Sequence, residues 1–136
     1  MSKGSSSVIQ KEIVVTPKAP APVGPYSQAV RVGEFVFLSG QIPLDPTTNQ
    51  VIQGDVKAQT KRVLENLIAV LEASHASLQT VVKTTIFLKN MGDFTQVNEV
   101  YANYFETNPP ARSTIEVARL PKDVLVEIEA LALVAP

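Results

Sequence analysis

Apolar positions repeat along the chain in two different periods. Over residues 55–74, Val56, Thr60, Val63, Leu64, Leu67, Val70 and Leu71 recur at three- and four-residue steps, which predicts a helix with one core-facing stripe. Asp55 stands where an N-cap is wanted. A second helical stripe, Phe94, Val97, Tyr101, Tyr104 and Phe105, spans about 91–106 and stops at Pro109-Pro110. Asn90, with Asp93 three residues on, has the spacing of a capping pair. Elsewhere the period is two. Strands are expected at 28–33 and 35–41 around a tight turn at Gly33-Glu34, at the β-branched run 80–89, and at 111–119 and 124–134 around Pro121-Lys122-Asp123. A short β-rich run, Ile13-Val14-Val15, precedes Pro17, Pro20, Pro22 and Pro25, which exclude a helix and predict a stiff, extended loop. The order β-β-β-α-β-α-β-β describes one α+β domain, with a single sheet and both helices on one face. Residues 1–9 are Ser/Gly-containing and read as a flexible tail, leaving 10–136 as the domain.

The final strand points beyond a single chain. Val126, Ile128, Ala130, Ala132 and Val134 fall on one side of it, and Leu125, Glu127, Glu129, Leu131 and Leu133 on the other. Both sides carry large apolar groups, but two helices of about 10 Å diameter cover only one face of a sheet. Another copy of the chain is the simplest cover for the second face. The alternative is a half-exposed face with scattered surface leucines.

Composition narrows the chemistry. Among 136 residues, 45% are apolar and 18% charged, as in an ordinary globular protein. Twelve Lys and Arg against 13 Asp and Glu leave a net charge of −1, so nothing global steers the chain to nucleic acid or to an anionic membrane. There is no cysteine, which removes disulfides, thiolate metal sites and a Cys nucleophile, and the single histidine, His75, cannot build a multi-His metal site. No apolar run is long enough for a membrane span. Residues 1–7 lack the apolar core of a secretory signal and contain no arginine, so the expected location is cytoplasmic, or mitochondrial if a native N-terminal extension has been removed.

Few residues then remain to carry chemistry. Arg112 opens a strand after Pro109-Pro110, and arginine is the side chain best suited to a two-point grip on a carboxylate. The ordinary fate of such a residue is a solvated charge. Glu127 lies among leucines on the second face of the last strand, where a carboxylate is costly unless paired or functional. A structural ion pair or an exposed strand end is its bland alternative. Ser39-Gly40 offers a hydroxyl and a backbone N–H at a strand end, without the His or Lys that a serine hydrolase needs. Tyr26 sits in the proline loop as a packing aromatic or a cleft residue, Asn98 is mid-helix, and His75 reads as a surface cap after the first helix. No phosphate loop, dinucleotide fingerprint or metal-ligand spacing is present.

Four strings are far more specific: GPYSQAV (24–30), FLSGQIP (37–43), VVKTTIFLKNMGDFTQVNEVY (81–101) and PARSTIEVARLPKDVLVEIEA (110–130) closely resemble the RidA, or YjgF, family over about residues 10–134. The resemblance implies a chorismate-mutase-like α+β fold, a mixed sheet with two helices on one face, and a homotrimer with sites in the clefts between subunits. It implies hydrolysis of reactive enamines and imines, such as 2-aminoacrylate and 2-iminopropionate, to 2-oxo acids and ammonia, without metal or organic cofactor. By the same resemblance, Arg112 would hold the substrate carboxylate and Glu127 would position or activate water. Tyr26, Ser39, Gly40, Asn98 and Thr114 would line the pocket. Thr114 stands where many members have cysteine, with the neighbouring backbone carbonyl unchanged. Two other functions compete with deamination. One is a carboxylate-binding regulatory or chaperone-like trimer. The other is an endoribonuclease or translation inhibitor, which the charge balance and the lack of a His pair disfavour.

Overall fold

The computed structural model describes residues 10–136, so the tail expected at 1–9 lies outside the described residues. Six strands form one mixed sheet: β1 Lys11–Val14, β2 Ala29–Val32, β3 Phe35–Gln41, β4 Val81–Leu88, β5 Ala111–Glu116 and β6 Val126–Leu133. Their spatial order is β1-β2-β3-β6-β4-β5, antiparallel throughout except for the parallel β4–β5 pair at one edge. Both helices, α1 Val56–Ala73 and α2 Phe94–Tyr104, belong to the layer that covers one face, as the alternation predicts. Three short 3₁₀ turns, 78–80, 91–93 and 121–123, join elements.

The stripe of α1 explains its place. Val63, Leu64, Leu67, Val70 and Leu71 are essentially buried, against Val36 of β3 and Val126, Ile128 and Ala132 of β6. Burying each such side chain contributes roughly 1.5–3 kcal/mol, which makes this helix–sheet layer the main source of stability. Asp55 caps α1 as its position suggests, its carboxylate accepting from the Ala58 N–H at 2.9 Å. At the other end His75 takes a left-handed conformation, φ 61°, and the Ala76 N–H reaches back to the Leu71 carbonyl at 2.8 Å. This is a Schellman closure, so His75 does cap the helix, by its backbone. The second capping expectation does not hold. Asn90 accepts from the Gly92 N–H at 2.8 Å and starts a 3₁₀ turn, while the Asp93 side chain makes no capping bond. The expected helix over 91–106 is therefore the 3₁₀ turn 91–93 followed by the shorter α2.

Two local irregularities set the course of β3. The two-residue turn that leads into it from β2 is allowed by Gly33, at φ 59°. Pairing of β3 with β6 then slips: Leu38 faces Ala130, but Gln41 faces Ile128. Ser39 and Gly40 occupy this bulge, which kinks the end of β3. On β6 the predicted two-faced pattern is plain. Val126, Ile128, Ala130 and Ala132 are buried under the helices, while Glu129 and Leu133 stand open on the other side with Phe35, Phe37 and Ile115.

Candidate functional site

A cleft of about 610 Å³ opens where the kinked end of β3, the start of β6 and the proline loop meet. Its floor is the Ser39-Gly40 bulge and Glu127, and its walls include Tyr26, Ala21, Val23, Ile42 and Lys122. Each wall is tied down by polar groups that the core residues cannot supply. Gln28, 2% exposed, accepts from the Thr16 N–H at 2.7 Å and donates to the carbonyls of Thr16 at 3.0 Å, Pro20 at 3.0 Å and Ala19 at 3.4 Å. One amide thus replaces the hydrogen bonds that the proline loop cannot make to itself. Ser39 donates its hydroxyl to the Ser27 carbonyl at 2.5 Å, and its N–H to the Gln28 carbonyl at 3.0 Å. The Ser39 hydroxyl is therefore a fastener between bulge and loop. Asn66 of α1, fully buried, donates to the Ile42 and Leu44 carbonyls at 3.2 and 3.0 Å and so fixes the segment leaving β3. Gln59, also on α1, accepts from the Leu125 N–H at 2.8 Å, two residues before Glu127.

Glu127 is half-buried. Loss of solvent is the main cause that raises its pKa above the usual 4.5, and the neighbouring Glu129 carboxylate adds to it. Gly40 lies directly against it. A Cβ at position 40 would overlap the Glu127 carboxylate and press within 3.1 Å of its Cγ, so glycine here is a matter of room. Lys122, on the facing wall, adopts a left-handed backbone, φ 55°.

Arg112 is elsewhere. It pairs in register with Thr84 of β4, and Thr84 pairs with Ala130 of β6, a residue of the helix-covered face. Its guanidinium lies over α2, with a terminal N–H donated to Asn98 Oδ1 at 2.8 Å and with the rings of Tyr101 and Phe94 at 5.0 and 5.5 Å. Thr114 follows on the same face, its Oγ1 buried and without a hydrogen-bond partner among the described residues. Glu127 pairs with Phe87 and projects from the opposite face. The seven residues singled out in the sequence therefore form two half-sites in one chain: Tyr26, Ser39, Gly40 and Glu127 at the cleft, and Arg112, Asn98 and Thr114 at the far edge of the sheet on the helix side. Sequence reasoning missed Gln28, Gln59 and Asn66, whose roles rest on partners 8 to 66 residues away. It also read Phe94 and Tyr101 as core alone. The one available signal was their spacing around Asn98, which puts all three on one stripe.

Among the described residues no group of three His, Cys, Asp or Glu could hold a metal ion, and no helix is long and apolar enough to cross a membrane.

Comparison with known proteins covers nearly the whole chain. The profile of the family described as Endoribonuclease L-PSP matches residues 16–134. A RutC family protein of Pyrococcus abyssi is 57% identical over 122 residues, covering 90% of this chain and 96% of that protein. A mouse protein named 2-iminobutanoate/2-iminopropanoate deaminase is 47% identical over 131 residues, covering 96% of each. The crystal structure of Escherichia coli TdcF with bound serine superimposes with a TM-score of 0.87 at 42% identity, covering 91% of this chain and 99% of that one.

Proposed function

This chain belongs to the Endoribonuclease L-PSP, or RidA (YjgF), family, and from that premise we propose that it hydrolyses reactive enamines and imines of 2-amino acids to 2-oxo acids and ammonia. The observation that carries the proposal is the setting of Glu127: a half-buried carboxylate of raised pKa, in a cleft beside an open bulge, with no arginine among the described residues that line it. A site that only bound a carboxylate would have no use for a second carboxylate there. The mouse relative's name points to the same chemistry, and serine bound to the TdcF relative is a small amino acid of the size this cleft admits.

The reaction needs three things: a grip on an anionic substrate, an oriented water, and a proton carrier. An enamine such as 2-aminoacrylate first takes a proton at its terminal carbon and gives one up from nitrogen, which makes it the imine. Water then attacks the C=N carbon, the new C–O bond forming as the π pair moves to nitrogen. Glu127 accepts the proton of that water and returns one to nitrogen. The carbinolamine hydroxyl then gives up its proton, a proton passes to nitrogen, and as the oxygen pair forms the C=O bond the C–N bond breaks and ammonia leaves. A carboxylate whose pKa burial raises trades protons more readily at physiological pH than an ordinary one. Arg112 supplies the grip, through the parallel N–H groups of its fork.

The two half-sites leave opposite faces of the sheet, so the proposal includes assembly. Arg112 of one copy meets Glu127 of a neighbour, in a homotrimer whose interface is the open face bearing Phe35, Phe37, Ile115 and Leu133, each 37–50% exposed in the single chain. An arriving arginine lowers the Glu127 pKa again, leaving the net value to the balance of burial and charge.

The decisive experiment couples an amino-acid oxidase or a serine/threonine dehydratase to the purified protein and follows decay of the released imine. Acceleration in proportion to protein, abolished by Glu127→Gln, supports the proposal. Decay at the spontaneous rate refutes it, and then retained binding of a 2-oxo acid identifies a carboxylate-binding protein.

A further inference from the structure

Arg112 is exposed and sits on an edge strand, where a long side chain ordinarily samples many rotamers. Here one helix holds it. Phe94, Asn98 and Tyr101 succeed one another at four- and three-residue steps on α2, and the guanidinium lies across that stripe. Asn98 accepts from one terminal nitrogen, and no other acceptor among the described residues engages the fork. The two rings differ. Phe94 is 37% exposed, whereas Tyr101 is 5% exposed and stacks on Phe105 at 4.6 Å between centroids. The Tyr101 hydroxyl is joined to Thr84 Oγ1 at 2.7 Å. Thr84, 1% exposed, is the β4 residue in register with Arg112 itself. The ring nearest the guanidinium is therefore tied back to the strand beside the arginine. A cation over a ring face is attracted to it, and a ring that cannot move fixes where the cation rests.

We propose that Tyr101 is a positioning residue: its ring, braced by Thr84, is a fixed shelf that holds the Arg112 guanidinium in place so that the arginine meets an incoming carboxylate already oriented. This rests on the reading of Arg112 as the carboxylate anchor. It assigns Asn98 to the same device, as the partner of the arginine instead of the substrate. Preorganisation of this kind acts on binding before reaction and equally in the transition state, so its loss falls on KM more than on kcat.

The test measures KM and kcat on imine generated in situ, and the Kd of 2-oxobutanoate by calorimetry. Tyr101→Leu keeps apolar filling and removes the ring face. It is expected to raise KM and Kd by about 5- to 30-fold. Tyr101→Phe keeps the ring but removes its Thr84 brace, and should recover only part of that loss. In an Arg112→Ala background, Tyr101→Leu should add no further loss, because nothing remains to be held. Asn98 is exposed, so Asn98→Ala provides a folded variant if Tyr101→Leu is unstable. It should raise KM and Kd several-fold only while Arg112 is present. Unchanged KM and Kd in folded Tyr101→Leu or Asn98→Ala, or the same loss without Arg112, overturn the proposal. A wild type that binds 2-oxobutanoate without turning over imine removes the deaminase reading and leaves the binding arm to judge Tyr101. A wild type that does neither removes both.

Discussion

Replacing Gly40 with alanine separates the room this residue provides from any need for its backbone freedom. The backbone at Gly40 lies outside the left-handed region, so an alanine fits the main chain without strain. The three atoms nearest the added Cβ all belong to the Glu127 side chain, whose carboxylate it overlaps and whose Cδ and Cγ it approaches to 3.0 and 3.1 Å. A glutamate end is flexible and can swing away. An off-rotamer displacement of that kind costs about 0.5–1.5 kcal/mol. Stiffening the unfolded chain by Gly→Ala offsets it by about 0.4–1 kcal/mol. The two nearly cancel, so the thermal midpoint should barely move. Activity should not be spared, because a misplacement of about 1 Å in a reacting group costs on the order of 100-fold. The assay is imine decay in a coupled reaction beside a thermal scan. Gly40→Ala should lose roughly 100-fold in kcat and stay folded, and in a Glu127→Ala background the same change should have no further effect. A folded Gly40→Ala protein with wild-type kcat would refute the claim that Glu127 acts where the structure places it.

Other outcomes rest on the same geometry. A charge-assisted hydrogen bond contributes about 1.5–3 kcal/mol, so Arg112→Ala should lose roughly 10- to 150-fold in kcat/KM; Arg112→Lys should rescue only part of it, since an ammonium cannot make the planar two-point contact. Burial raises the Glu127 pKa, so in the isolated fold this group binds its proton more tightly than in the unfolded chain. Its contribution to stability is complete below the unfolded pKa and lost as pH rises through the folded value. In a chain kept from assembling by Phe37→Glu, Glu127→Gln should therefore raise the thermal midpoint at neutral pH, with the gain fading below the ordinary glutamate range. Light scattering should give three times the 14.7 kDa chain mass, and Phe37→Glu, on the open face, should yield a smaller species without imine turnover.

Much of the architecture was legible in the sequence, for identifiable reasons. The β6 alternation placed Glu127 on the uncovered face because a strand's period is fixed by its backbone. The α1 stripe and its Asp55 cap were equally local. What stayed hidden depends on strand neighbours. That Arg112 and Glu127 leave opposite faces follows from their registers with β4, through Thr84 and Phe87, and no pattern within β5 or β6 encodes it. The contact of Gly40 with Glu127 depends on the β3 bulge, which exists only once β6 is paired. Asn90 and Asp93 had capping spacing, yet the chain turned as 3₁₀ and used only the first. Gln28 read as a strand residue, and its partners lie in a proline loop whose path the sequence left open.

That amide has a consequence for how the protein can change over generations. Gln28 grips the loop through main-chain groups of Thr16, Ala19 and Pro20, so the latch specifies a path and is indifferent to most side chains along it. Ala21 and Val23 are exposed, face the cleft, and take no part in the latch. Mutations there can reshape the wall that meets a substrate's side chain while Tyr26, Ser39 and Glu127 keep their places. Such a division lets selection retune which ligand the cleft prefers by changes at these two tolerant positions, with the latched frame of the cleft inherited intact.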